Sequence, residues 1–261
     1  MVAILLYLLG RCDRYCEPFA GGGSVGLSLR RRWRSPLCHF NDVDLAVHDF
    51  WLMLRDFAPD LHRRIRDVWR EFDSFEEAIE FFKTMRPILR GPRLDHMERA
   101  VAFYICNRIG YSGITSQDCG TTGRSAPRRI NDGLIDTLPY WSSVIQDFEI
   151  SNRDYRLVVP ARNTVLFFDP PYEDEDDRRD RRLYLNGWQR ADILNLADYL
   201  IELDRRGNRW VTTLMTSSST ELLLIDKLRT ASNAIRYGKL PVQHSIVHRA
   251  AEELLIWNFE A

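Results

Sequence analysis

Lysine is nearly absent from this sequence. It stands only at Lys83, Lys227 and Lys239, so almost all positive charge is carried by arginine. Guanidinium forks suit phosphates and guanine edges, although a codon bias explains the excess equally well. There is also little charge of one sign. The formal net charge is -1, which gives no overall pull toward a polyanion, so any nucleic-acid surface must be a local patch. The five cysteines, Cys12, Cys16, Cys38, Cys106 and Cys119, are odd in number and irregularly spaced. No disulfide framework is expected, and a reducing cytoplasm is the expected location. Cys12, Cys16 and the Cys38-His39 pair are followed by no second CxxC-like pair, so no metal site is expected. Long hydrophobic runs are missing too. The apolar start, Val2 to Leu9, is far short of the roughly 20 residues that span a bilayer. No basic segment precedes it and no small-residue cleavage site follows it. It reads as a core helix, and no membrane association is expected. No internal repeat is visible.

What is present is enough apolar residue to build a core. Hydrophobic residues make up 45% and charged residues 28% of 261, which points to a packed globular chain of one large domain, or one domain with a sizeable insertion. Arg14 to Phe19 reads as a buried strand running into Gly21-Gly22-Gly23. Ser24 to Trp33 reads as a helix, and Leu37 to Phe40 as a second strand ending at Asn41-Asp42. This β-loop-α-β unit opens a parallel α/β sheet. Residues 44–107 then show helical spacing: Trp51, Leu54 and Ala58; Ile65, Val68 and Trp69; Leu94, Met97, Val101, Tyr104 and Ile105. Asp73-Ser74 marks a helix start. Gly110 to Gly133 reads as a loop or irregular hairpin, and Ile130 to Asp147 as an interrupted helix. The α/β pattern resumes with strands at Val165–Phe168 and Trp210–Met215 around an amphipathic helix, Asp192–Leu203. Ile246–His248 and Leu254–Phe259 read as a closing antiparallel pair. The expected division is a sheet domain of residues 1–49 plus 148–261, interrupted by a helical insertion of 50–147.

Two loops carry chemistry. In Glu17-Pro18-Phe19-Ala20-Gly21-Gly22-Gly23-Ser24-Val25-Gly26, the glycines at 21, 23 and 26 fit G-x-G-x-x-G between a strand and a helix. Glycine permits a tight turn and close approach of backbone to a ligand, which then sits over the helix N-terminus at the carboxyl end of the strand. An acid about 20 residues on binds ribose hydroxyls, and Asp42 and Asp44 are placed for that. The pattern implies an adenosine-containing cofactor, with NAD and S-adenosylmethionine (SAM) both fitting.

The second loop is Asp169-Pro170-Pro171-Tyr172, which follows the apolar strand directly. Two prolines make a rigid extended corner. It presents two acceptors, the Asp169 carboxylate and the Pro170 carbonyl, beside the Tyr172 ring. An exocyclic amine on a base is a poor nucleophile because its lone pair is conjugated with the ring. Two acceptors that each take one N–H free that lone pair, and an aromatic face stacks a base flipped out of the duplex.

These segments together resemble the Dam-like family of DNA adenine N6-methyltransferases. Glu17 to Val25 is similar to the family's SAM-binding motif, which assigns Glu17, Pro18, Phe19, Ala20, Gly21 and Gly23 to the cofactor. Phe40-Asn41-Asp42 is similar to its ribose-binding motif and favours Asp42 over Asp44. Asn152-Arg153-Asp154-Tyr155 resembles the segment that helps form the cofactor adenine pocket, through Asp154 and Tyr155. Asn107-Arg108-Ile109-Gly110-Tyr111-Ser112-Gly113 resembles a target-recognition segment. Asp169 to Tyr172 is its catalytic loop, with Asp169 also near the cofactor, and Glu253 to Phe259 is similar to family C-termini. The matches run in family order over about residues 12–259. The resemblance implies a Rossmann-like SAM-methyltransferase sheet of seven strands, mostly parallel with an antiparallel closing strand, and a helical DNA-recognition insertion. It implies SAM as cofactor, double-stranded DNA as partner, and an adenine-specific, site-specific DNA methyltransferase of the restriction-modification kind; a monomer is expected. Family members usually begin with a Gly-Gly-Lys segment that holds the methionine end of SAM. Residues 1–13 carry no equivalent, so reduced activity is one expectation.

Arg108, Arg124, Arg128 and Arg129 surround the Gly/Ser/Thr-rich stretch and, with Asn107, Tyr111 and Ser112, are the expected DNA-facing residues. The acidic run Glu173 to Asp177 would repel phosphate and reads as a solvated loop. Cytosine C5 methylation needs a cysteine nucleophile, typically after proline, and no Pro-Cys occurs. A dehydrogenase would explain the glycine loop and leave Asp169 to Tyr172 without a role. The readings that stay beside adenine methylation are N4-cytosine methylation, which uses the same amine logic, and a DNA-binding relic of the family with impaired catalysis.

Overall fold

The computed structural model describes residues 1–34, 36–110, 115, 132–171, 188–215, 218–243 and 250–260. Tyr111, Ser112, Arg124, Arg128, Arg129, Tyr172, the acidic run 173–177 and the expected strand at 246–248 lie outside these residues. The described chain divides into two compact units. The first holds Met1–Asp42 and the described residues from Arg153 onward, and the second is Val43–Asn152. The sequence suggested boundaries at 49/50 and 147/148. The contacts place helix α3 (Leu45–Asp56) with the helices that follow it and strand β3 (Glu149–Ser151) with α3.

The first unit is built on β1 (Arg14–Glu17), β2 (Leu37–Asn41), β4 (Val165–Phe168), β5 (Arg209–Met215), β6 (Arg236–Gln243) and β7 (Ala250–Trp257). The sheet has seven strands in the order β3-β2-β1-β4-β5-β7-β6. β1 pairs in parallel with β2 and β4, and β4 with β5, whereas β7 is antiparallel to both β5 and β6. The mostly parallel sheet with antiparallel closing strands is the α/β architecture that the motifs imply. β4 is buried along its whole length, which accounts for its unbroken apolar sequence. α1 (Val2–Leu9) buries Leu5 and Leu9 and exposes Ile4 and Tyr7, so the apolar start is a one-sided surface helix rather than a core helix. α2 (Ser24–Trp33) follows the glycine loop. α9 (Arg190–Arg205) buries Ile193, Leu196, Ala197, Leu200 and Leu203, the face its periodicity predicts. α10 (Ser218–Ala231), which the sequence reading left unassigned, adds Leu224, Ile225 and Leu228 to the same core around Trp210, Leu166 and Ile256.

The second unit is helical: α3, α4 (Ala58–Arg70), α5 (Phe75–Met85), α6 (His96–Ile109), α7 (Asp132–Ile135) and α8 (Leu138–Val144). Its helix starts follow the sequence closely. Ser74 caps α5 by accepting from the Glu77 N–H, and Asp95 with Glu98 forms a capping box on α6. Asp49, fully buried on α3, pairs with Arg99 of α6 at 2.5 Å, and Arg99 also donates to the carbonyls of Leu89, Gly91 and Leu94. One arginine thus ties α3, α6 and the turn between α5 and α6. Cys12, Cys16, Cys38 and Cys106 are free thiols. Among the described residues, no helix is long and apolar enough to cross a membrane.

Candidate active site

The order of the sheet reverses direction between β1 and β4. From β1 the chain proceeds outward to β2, and from β4 outward to β5. In open α/β sheets the crevice outside the carboxyl ends of the strands at such a switch point is where ligands bind. Tyr15 pairs with Val165 and Cys16 with Leu166. The glycine loop and the Asp169-Pro170-Pro171 corner therefore leave adjacent strands in the same direction.

The glycine loop is shaped by three different demands. Gly21 and Gly23 have φ of 46° and 62°, the left-handed region where a side chain is strained. Among the described residues, a Cβ on Gly21 or on Gly22 would meet nothing within 4 Å. Gly26 sits in α2 and has the opposite problem. A Cβ there would come within 2.5 Å of the Phe40 ring and 2.8 Å of Glu17 Oε1. The third glycine lets α2 lie directly on β1 and β2, the packing role it has in dinucleotide-type loops. The N-cap of α2 is Gly23, which has no side chain to cap it, and the first turn carries no acid.

Beneath this loop Glu17 is buried. Its Oε1 accepts from the Tyr15 hydroxyl at 2.7 Å and from the Gly26 N–H at 2.5 Å. Burial pushes the Glu17 carboxyl up to about 8. The bonds from Tyr15 and Gly26 oppose that rise, and the nearby Asp169 charge adds to it. Asp42, half-buried, accepts from the Gly21 N–H at 2.9 Å. Asp44 is committed elsewhere. It caps α3 through the Ala46 N–H, and the Arg90 guanidinium grips it at 2.5 to 3.0 Å while also donating to the Thr115 carbonyl and hydroxyl. Of the two acids the sequence offered, Asp42 is the one beside the glycine loop.

Asn41 is a residue whose importance the sequence reading did not single out. Fully buried, it donates to the Pro18 carbonyl at 3.0 Å and to the Arg153 carbonyl at 2.9 Å, and accepts from the Arg153 N–H at 3.0 Å. It joins the glycine loop, the end of β2 and the segment that follows β3. That segment continues into a one-turn 3-10 helix, Tyr155–Leu157, capped by Asp154. Hydrogen bonds from the Arg156 side chain and backbone hold the Asp154 carboxyl below its ordinary value against the opposing effect of burial. The ring of Tyr155 lies 5.1 Å from that of Phe19 and 5.8 Å from Trp188, and Phe19 lies 5.6 Å from Trp188. Tyr199 of α9 packs on Tyr155 and Phe168. Phe19 and Tyr155 were anticipated. Trp188 and Tyr199 were not, since a lone tryptophan and one helical tyrosine carry no local signal.

At the end of β4, Asp169 is exposed, Pro170 is buried and Pro171 half-buried. The Asp169 carboxylate accepts from the hydroxyl of Thr213, on β5, at 2.8 Å. The first unit thus gathers Glu17 to Gly23, Asp42, Asp154, Tyr155 and Asp169 at one end of one sheet. Asn107 and Arg108 lie in the last turn of α6 in the second unit, where the Arg108 guanidinium stacks 5.2 Å over the ring of Tyr104.

The model of the D12 class N6 adenine-specific DNA methyltransferase family matches residues 5–234. The chain is also 25% identical, over 238 residues, to the Type II methyltransferase M.MjaIII of Methanocaldococcus jannaschii, across 86% of this chain and 80% of that protein.

Proposed function

Since the chain belongs to the D12 class of N6 adenine-specific DNA methyltransferases, we propose that it moves a methyl group from SAM to N6 of an adenine flipped out of a specific duplex sequence. The observation that carries this reading is the pairing of β1 with β4 at the switch point, with the glycine loop on one strand and Asp169-Pro170-Pro171 on the other.

The residues at the switch point fit SAM. The space over Gly21 and Gly22, open among the described residues, accepts a ligand against bare backbone. Asp42 suits ribose hydroxyls, and Asp154, with Phe19 and Tyr155, suits an adenine edge and face. SAM would supply a methyl group on a positively charged sulfur. The chain's own residues do the rest. Asp169 and the Pro170 carbonyl each accept one N–H of the target amine, which turns the nitrogen lone pair out of conjugation. Such prearranged acceptors act without reorganisation in the transition state. The exposed Asp169 carboxylate also gives the departing amine proton a route to solvent. Tyr172 stacks the flipped base. Asn107, Arg108, Tyr111, Ser112, Arg124, Arg128 and Arg129 contact DNA phosphates and base edges. The chain works as a monomer in the reducing cytoplasm, and the name of the M. jannaschii relative supports a place as the methylating partner of a Type II restriction-modification system.

The test is transfer of tritium from methyl-labelled SAM to unmethylated duplex DNA. Label at N6 of adenine that disappears in Asp169→Ala supports the reading. Equal transfer by that variant removes Asp169 from the chemistry, and label on cytosine N4 replaces the substrate.

A further inference from the structure

After Arg209, strand β5 is apolar except for Thr212 and Thr213, and both are fully buried. Valine has the same shape and no hydroxyl to desolvate, so a buried threonine at a sheet centre is costly unless its hydroxyl is well bonded. The Thr213 hydroxyl lies 2.8 Å from Asp169 Oδ1 and 3.3 Å from the Phe168 carbonyl. A hydroxyl has one proton to donate, and the shorter contact to an ionised acceptor is the stronger.

The register explains how the contact arises. Phe168 pairs with Thr212 across the parallel β4–β5 ladder, so Thr213 stands level with Asp169. On its other side β5 is held by β7, where Thr213 pairs with Leu255. The hydroxyl is thus anchored in the middle of a closed ladder, while its acceptor is an exposed side chain just beyond a strand end.

We infer that Thr213 is a positioning residue for methyl transfer, tethering one oxygen of the Asp169 carboxylate to the sheet so that the carboxylate meets the target amine in one orientation. This rests on Asp169 being an acceptor for the amine. An untethered aspartate has several staggered rotamers, and a group displaced by about 1 Å from its reacting partner can lose on the order of a hundredfold in rate. Acting through Asp169 alone, Thr213 when removed should slow the transfer step without weakening the binding of the methyl donor or of DNA.

The experiment compares Thr213→Val, Thr213→Ser and Asp169→Ala in the full chain. It follows tritium transfer to unmethylated plasmid duplex, SAM affinity by calorimetric titration, and the melting temperature. Thr213→Val should lower kcat about tenfold to a hundredfold, with KM for DNA and the SAM Kd within about twofold of the parent chain, as expected for an interaction that matters in the transition state. Thr213→Ser keeps the donor and should return kcat to within about threefold. An unchanged kcat in Thr213→Val overturns the inference. So does a kcat loss matched by a fall in SAM affinity or melting temperature, or a serine variant as slow as the valine one. An active Asp169→Ala is a separate result, which removes the reading of Asp169 on which the tether depends.

Discussion

Asn41 and the backbone of Arg153 are joined by a reciprocal pair of hydrogen bonds, at 2.9 Å from Asn41 Nδ2 to the Arg153 carbonyl and at 3.0 Å from the Arg153 N–H back to Asn41 Oδ1. A third bond runs from Nδ2 to the Pro18 carbonyl. The primary amide is matched to its surroundings: two donors and one acceptor meet two carbonyls and one N–H. Asn41→Ala leaves these backbone groups unpaired, at about 1–3 kcal/mol for each buried group that finds no water. Urea denaturation should register the loss. SAM affinity should fall with it, because Phe19 and Tyr155 stand on the two segments that Asn41 joins. Asn41→Asp keeps the acceptor, loses the donors and faces two carbonyls with a carboxylate, so it should be the less stable of the two.

Gly22→Ala and Gly26→Ala should separate ligand binding from folding. At Gly26 the added methyl overlaps the Phe40 ring and Glu17 Oε1, and overpacking of that kind costs about 1–3 kcal/mol. At Gly22 the methyl meets none of the described residues, so the melting temperature should stay unchanged while SAM affinity drops. Calorimetric titration beside thermal melting reads both. A Gly22→Ala variant that binds SAM normally would remove the glycine loop from the cofactor site.

Glu17 predicts a pH dependence of folding. Its carboxyl, ordinarily near 4.5, is pushed by burial to about 8 in the folded chain. Between those values the native state holds a proton that the unfolded chain has released. The stability from this group is fully present below about pH 4.5 and declines as pH rises to about 8, by roughly 1 kcal/mol per pH unit. Glu17→Gln retains the acceptor for Tyr15 and Gly26 and cannot ionise. Denaturation from pH 5 to 9 should show a flatter profile for the variant and a gain in its stability at the alkaline end.

Asp49 predicts the opposite sign in the helical unit. Burial raises its carboxyl, yet the hydrogen bonds from His48, Arg99 and His96 outweigh that and bring it below the ordinary 3.8. Its contribution is present above that ordinary value and is lost as pH falls through the lowered one. Asp49→Asn removes the carboxylate that faces Arg99, leaving a buried guanidinium bonded to three carbonyls but without its counter-ion, at a cost of up to about 3–5 kcal/mol. A cooperative loss of helical signal at lower urea concentration checks it.

Much of this molecule was legible before folding because the informative signals were local. A glycine loop after a strand and two prolines after an apolar run constrain backbone that only a few residues determine. Ser74 announced its helix for the same reason, since a cap contacts N–H groups two or three residues away. The choice between Asp42 and Asp44 was not local. Both follow β2, and Arg90 and the cap of α3 decided it.

The amino-acid order determined the two loops, their strand and helix neighbours, and the family to which they belong, because each depends on short-range backbone geometry. Tertiary structure alone decided that the loops leave adjacent strands. It also decided that Asn41 ties two distant segments, that Trp188 and Tyr199 complete an aromatic cluster, and that Thr213 reaches Asp169. These contacts join residues far apart in sequence: Thr213 is 44 positions from Asp169, and Asn41 is 112 from Arg153. At such separations strand register and sheet order bring groups together, and neither is set by the residues that meet.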